Sequence, residues 1–253
     1  MYARSGKNMD TGLRRYDECA GVMRTLGLLG GMSWESTATY YKLINEAVQA
    51  KLGGLHSAKI ILHSFDFAEI AALQKQGNWK AAEQQLTQAA IHLKNAGADA
   101  IVICTNTMHL MADEVEQGAG IPLIHIADAT GEEIKAAGKD CIGLLGTMFT
   151  MEKPFYRERI EQKFGIKVLV PSETDKSVVN HVIYDELCKG IVHQKSAELF
   201  IKIMDDLVMR GANGIILGCT EIGMLIKQDR VKHIPLFDTT LIHAKKALDY
   251  ALH

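Results

Sequence analysis

The feature that most constrains this chain is an internal repeat. CIGLLGTM at 141–148 resembles TLGLLGGM at 25–32, GANGIILGCTE at 211–221 resembles GADAIVICTNT at 97–107, and IPLF at 234–237 resembles IPLI at 121–124. The offsets are 116, 114 and 113 residues, and the order is kept. Three matches in register point to two copies of one supersecondary arrangement. Each copy alternates short apolar runs with longer amphipathic stretches. That alternation implies mostly parallel strands covered on both faces by helices.

The expected fold is therefore α/β: two pseudo-symmetric three-layer α/β/α lobes, each with a mostly parallel sheet, and a cleft between them. Open sheets of this kind bind ligands beyond the carboxyl ends of their strands. Residues 1–22 are polar, carry both signs of charge and show no period, so they read as a disordered or irregular tail, with Cys19 incidental and the repeat pattern starting at Met23. The first α/β domain is expected over 23–121 and the second over 122–233. A last strand and helix over 234–253 should fold back on the first domain. Helices are predicted at 34–52, 68–76, 79–95, 108–117, 127–137, 152–164, 178–188 and 192–210. Ser33 is the expected N-cap of the first, with Ser36 at N3.

Composition closes off several functions. Lys plus Arg is 28 and Asp plus Glu is 30, a formal charge of −2, which gives no electrostatic reason to expect nucleic acid. No apolar run approaches the roughly 18 residues that span a bilayer, and no secretory h-region is present, so a cytoplasmic protein is expected. Five cysteines with no CxxC pair argue against a disulfide framework, a thiol–disulfide enzyme and a zinc site. The glycine turn GLLGGM lacks the GxGxxG spacing of a dinucleotide site, so no nicotinamide is expected.

Two apolar runs end in cysteine and open polar turns: AIVICTNTMH at 100–109 and GIILGCTE at 214–221. Cys104 and Cys219 are thus expected to face each other across a small substrate. One thiolate would remove a proton from one face of a carbon and the other thiol would return a proton to the opposite face. The sulfurs should then lie ~7–8 Å apart, one carbon between two near-contact thiols. Asn106 and Thr107 are candidate donors to a carboxylate. Thr147 and Thr150, in the second turn, are candidate anion contacts, and Glu221 is a candidate partner for an ammonium or for a thiol. Cys141 and Cys188 are read as packing residues and His109 as a turn or helix-surface histidine.

These residues resemble the aspartate/glutamate racemase family. Its first signature appears as Ile103-Cys104-Thr105-Asn106-Thr107-Met108-His109, its second as Gly218-Cys219-Thr220-Glu221, and its Gly-Gly-Met turn at 30–32. The resemblance covers residues 23–253, and within the family it runs to bacterial broad-specificity and L-aspartate/glutamate-specific racemases. It implies a homodimer and an isomerase working without pyridoxal phosphate, metal or other cofactor. Cys104 and Cys219 would be the acid/base pair, and Met32, Thr105, Asn106, Thr107 and Thr220 would line the pocket. Gln74 stands near where some members carry an arginine, and a neutral amide binds a distal carboxylate more weakly than a guanidinium does. Lys176 is a second candidate carboxylate partner. Hydantoin racemase, maleate cis–trans isomerase and arylmalonate decarboxylase chemistry are the alternatives on this scaffold. A carboxylate-binding module without turnover is the alternative of another class.

Overall fold

The computed structural model describes residues 23–253, so the expectation for 1–22 lies outside the described residues. In the first lobe β1 (Leu26–Gly30), α1 (Trp34–Leu52), β2 (Ile60–Ser64), α2 (Phe67–Lys75), α3 (Trp79–Asn95), β3 (Ala100–Ile103) and α4 (Ala112–Ala119) follow one another. A crossover carrying α5 (Ile126–Ala136) leads to the second lobe. There β4 (Cys141–Gly146), α6 (Met148–Glu152), α7 (Pro154–Phe164), β5 (Lys167–Leu169), α8 (Glu173–Asp185) and α9 (Gln194–Met209) come first. The chain then runs through β6 (Ile215–Gly218), α10 (Ile222–Leu225), β7 (Leu236–Asp238) and α11 (Thr239–Leu252).

The two sheets have the orders β2-β1-β3 and β5-β4-β6-β7, and every pairing is parallel. The repeated IPL segments occupy equivalent edges. In the second sheet Ile215 donates to the Pro235 carbonyl and β7 pairs with β6. In the first, Ile101 donates to Pro122 and accepts from Ile124, but only the single bridge Ile101–Leu123 forms, so the expected strand at 121–124 is reduced to one contact. The central strands β1 and β4 are buried along nearly their whole length, which is why both read as continuous apolar runs. Gly27 and Gly143 hold matching places in them. A methyl group at Gly27 would press on Leu93 and Ala98, and one at Gly143 on Leu207 and Ile215, so each glycine lets a covering helix approach its sheet.

Helix ends follow local chemistry. Ser33 accepts from the Ser36 amide and caps α1 as expected. Ser172 does the same for Asp175, which starts α8 five residues before the predicted 178. The helix predicted over 152–164 is broken: Lys153 is extended (φ −78°, ψ 144°) and Pro154 begins α7. A proline disfavours the helical region in the residue before it and has no N–H to give, so α6 stops and α7 restarts. The helix predicted from 108 begins instead as a 3₁₀ turn, Thr107–Met111, before α4. Gly31 lies at φ +86°, and a Cβ there would collide with the Phe65 backbone.

The last helix ties the lobes together. β7 belongs to the second sheet, while α11 packs against α1 and α5 through Ala244, Ala247 and Ala251. Within that seam Tyr40 donates to His243 Nδ1 at 2.8 Å, and His243 Nε2 donates to the Ile124 carbonyl at 2.6 Å. His109 and His125 pack close by, with ring centroids 4.8 Å apart and planes tilted by 59°. All three histidines are buried.

Two outcomes are expected from this packing. Gly31→Ala combines a strained φ with a backbone collision and should cost about 1–3 kcal/mol or more in urea denaturation. Acid should also destabilise the fold. Burial lowers His243 to about 4 and His125 to about 3, whereas unfolded histidine titrates near 6.5. Unfolding therefore takes up protons below about pH 6.5, so stability is full above that value and falls as pH drops toward 3–4. Urea midpoints at about pH 7.5 and about pH 5 should differ by on the order of 2 kcal/mol per histidine, and His243→Phe should flatten the dependence.

Candidate active site

Strand register decides which side chains meet in the cleft. Gly27 of β1 pairs with Ile101 of β3, and Gly143 of β4 pairs with Ile215 of β6. Ile101 and Ile215 are thus equivalent, and counting on makes Cys104 equivalent to Gly218 and Thr105 to Cys219. Side chains alternate faces along a strand. Ala100, Val102 and Cys104 share the apolar cluster with Leu26, Leu28, Tyr40 and Ala244, beneath α1 and α11. Cys104 is 1% exposed, and its Sγ lies 3.9 Å from the Val102 carbonyl. Burial pushes its thiol far above the ordinary range. Cys104 therefore does not line the cleft; Thr105 takes that place opposite Cys219. This departs from the expected pairing because one step along a strand reverses the face a side chain presents.

The cleft lies at the carboxyl ends of both sheets. Its first-lobe wall includes Met32, Ser33, Phe67, Gln74, Thr105, Asn106 and Thr107. Its second-lobe wall includes Thr147, Ile183, Tyr184, Cys188 and the run Gly218–Glu221. It encloses about 460 Å³ including its mouth. The lobes touch across it where Thr107 Oγ1 meets Thr147 Oγ1 at 3.3 Å.

The centre of the second wall is a buried carboxylate. Glu221 is 6% exposed and accepts three hydrogen bonds. Ser33 donates to Oε1 at 2.9 Å from the other lobe, and Thr220 (2.6 Å) and the Cys219 thiol (2.9 Å) donate to Oε2. Burial, then the Glu221 charge, holds the Cys219 thiol well above its ordinary value, so its proton sits on sulfur and is shared in a hydrogen bond with the carboxylate. Ser33 does double duty, since the same Oγ accepts the Ser36 amide as the cap of α1. No lysine or arginine lines the cleft among the described residues. Carboxylates of a ligand would meet neutral donors there: threonine hydroxyls, the Gln74 amide and the N-terminus of α1.

Of the residues singled out from the sequence, Met32, Gln74, Thr105, Asn106, Thr107, Thr147, Cys219, Thr220 and Glu221 line this cleft. Gln74 Nε2 donates to the Met108 sulfur at 3.0 Å. Thr150 is fully buried behind Thr147, whose hydroxyl it meets at 3.1 Å. Lys176 lies outside the lining, and two of its three N–H donors are held by Glu173 (2.6 Å) and Glu152 (3.0 Å). Ser33, Tyr184 and Cys188 are in the lining and were not assigned to the site. Ser33 was read only as a cap. Tyr184 and Cys188 stand four residues apart where α8 runs out, a spacing indistinguishable from ordinary helix packing. His109 is not at a surface: it is 2% exposed, its Nε2 accepts the Ile126 amide, and its Nδ1–H donates to the Thr105 carbonyl at 2.8 Å. Burial, then the neighbouring His125 and His243, keep it neutral.

Comparison with known proteins identifies the fold and the family. A solved Asp/Glu racemase candidate from Yersinia pestis is 55% identical, covers 91% of this chain and 100% of its own, and superposes with a TM-score of 0.86. An aspartate racemase homologue from Pyrococcus horikoshii is 34% identical over 91% of this chain and 100% of its own, with a TM-score of 0.80. A glutamate racemase from Persephonella marina is 30% identical over 217 residues, 78% of this chain and 80% of that protein. The profile of the Asp/Glu/Hydantoin racemase family matches residues 29–247, and the chain belongs to that family.

Proposed function

We propose that the protein racemises aspartate, glutamate or a close analogue by proton transfer at Cα without a cofactor, and that Cys219 and Thr105 are the groups on the two faces of that carbon. The observation that carries this reading is their equivalence in strand register at opposite walls of one cleft. Cys219 acts as the thiolate, its proton having passed to Glu221 along their hydrogen bond, and the one negative charge the pair shares offsets the substrate ammonium. Charge that builds on the α-carboxylate is met by Thr107, Thr147 and the N-terminus of α1, donors fixed before the substrate arrives. Family membership and relatives named for aspartate and glutamate support an acidic substrate. The neutral wall around Gln74 supports tolerance of other side chains. Trp34 and Tyr41, 68% and 55% exposed on one side of α1, offer apolar surface for the homodimer that the family resemblance implies.

A threonine hydroxyl can donate its proton to a carbanion, a still stronger base, and the alkoxide left behind regains a proton from solvent; to act as the base it must first reach that scarce alkoxide, so it removes a proton from carbon poorly. The equilibrium constant between enantiomers is unity, so this cannot favour one direction in kcat/KM. It separates exchange from inversion instead. Cys219 can lift and return a proton on its own face, and inversion additionally needs Thr105.

In deuterated water one enantiomer should exchange its Cα proton faster than it racemises. Cys219→Ser should abolish both processes, by roughly a thousandfold or more. Thr105→Cys should bring inversion up toward the exchange rate, and Cys104→Ala should retain most activity. Proton NMR with chiral chromatography reads all four proteins. Loss of turnover in Cys104→Ala with Thr105→Val fully active would reverse the assignment, and no exchange with any amino acid would end the racemase reading.

A further inference from the structure

One polar atom in the cleft is left without a role by the mechanism above. Asn106 is 4% exposed and lines the cavity, yet its Oδ1 has no hydrogen-bond partner among the described residues. A buried acceptor left unpaired is costly, and native folds rarely keep one without a reason.

The orientation of the amide is set from behind. Asn106 Nδ2 lies 3.1 Å from Thr239 Oγ1, and the Thr239 hydroxyl donates its single proton to the Leu217 carbonyl at 2.9 Å. Thr239 is fully buried as the first residue of α11. With that proton committed to Leu217, Oγ1 can only accept, so the Asn106 face turned to it must be the NH₂. The reverse orientation would set two lone-pair oxygens against each other. The chain Asn106–Thr239–Leu217 runs in one direction, from the first-lobe turn through the last helix to β6.

Two consequences follow for Asn106. One of its two side-chain N–H donors is committed to Thr239, which does not line the cleft. Its free atom is an acceptor, which repels a carboxylate and pairs with a donor. The donor an amino acid brings is its α-ammonium.

We propose that Thr239 is a positioning residue that locks the Asn106 amide with its carbonyl available to the substrate, and that Asn106 Oδ1 accepts a hydrogen bond from the α-ammonium. The proposal rests on the amino-acid reading of the cleft given above, and deepens it by assigning the group that separates an amino acid from a plain dicarboxylate. Glu221 supplies the charge for the same ammonium, while three of its acceptor positions are already taken by Ser33, Thr220 and Cys219.

The test compares L-aspartate with succinate, which has both carboxylates and no ammonium, by calorimetric titration of the full-length protein. Thr239→Val keeps the branched shape and removes the hydroxyl. It should weaken L-aspartate roughly tenfold or more while succinate changes less than about threefold. Thr239→Ser, which restores the hydroxyl, should return L-aspartate to near the wild-type affinity. If Thr239→Val does not fold, Asn106→Leu, which removes the acceptor and leaves Thr239 in place, carries the same comparison. Parallel weakening of both ligands, unchanged aspartate binding, or wild-type protein that binds succinate as tightly as L-aspartate would overturn the proposal. The predicted selectivity without Cα exchange in deuterated water would instead leave the ammonium site standing and remove the racemase reading.

Discussion

The structure turns on one buried negative charge. Glu221 lies at the seam of two lobes, and a carboxylate taken out of water is tolerable only if its lone pairs are met by donors. The donors come from three places: Ser33 from the first lobe, Thr220 from the same turn, and the Cys219 thiol. Each contact constrains something else. Ser33 must stay at the head of α1, so the Gly30–Gly31 turn must keep its shape. Cys219 must stay on the cleft face of its strand end, so β6 must keep its register against β4. The lobes are thus held near one another by a group that also keeps the proton on the Cys219 sulfur.

Much of this was legible in the sequence. Near-equal offsets between repeated apolar runs specified two lobes, parallel strands and the level at which their ends meet, because a buried parallel strand leaves an uninterrupted apolar signature. The polar turns after β1, β3, β4 and β6 all proved to form the cleft. What the repeat could not settle by inspection was the face presented by a single residue. ICTNT and LGCTE look alike as strands that deliver a cysteine, but the two cysteines stand one position apart in register, and a period of two turns that offset into opposite sides of a sheet. Aligned letter by letter, the segments themselves set Cys104 against Gly218; the pairing of two cysteines rested on their chemistry rather than on their place.

Other misses have different causes. Lys176 pairs with Glu173 three residues before it on α8, a spacing legible in the sequence only once the helix is known to begin at 173 rather than 178, and with Glu152 of α6, which has no local signal. Ser33, Tyr184 and Cys188 reach the cleft through tertiary placement alone. His109 and Thr239 act through other residues: one hydrogen-bonds the Thr105 carbonyl, the other the Asn106 amide. Side chains of this kind carry no motif, since the requirement on them is set by the residue they hold.

The placement of α11 also bears on the order in which the molecule can be completed. The helix closes over α1 and α5, supplies His243 to Tyr40 and to the crossover carbonyl of Ile124, and presents Thr239 to the turn that follows β3. All of these partners lie in the first 136 residues, and α11 follows every other element among the described residues. A ribosome therefore releases the whole first sheet, and the complete second one, before the side of the first lobe beneath α11 can be covered. Until then the apolar surface that includes Leu26, Leu28 and Val102 lacks its final cover. Such contacts, formed between the two ends of a chain, pay a large loop-closure entropy and arrive late in folding. The first half of this repeated fold thus relies on the second to cover its apolar face as well as to complete its cleft.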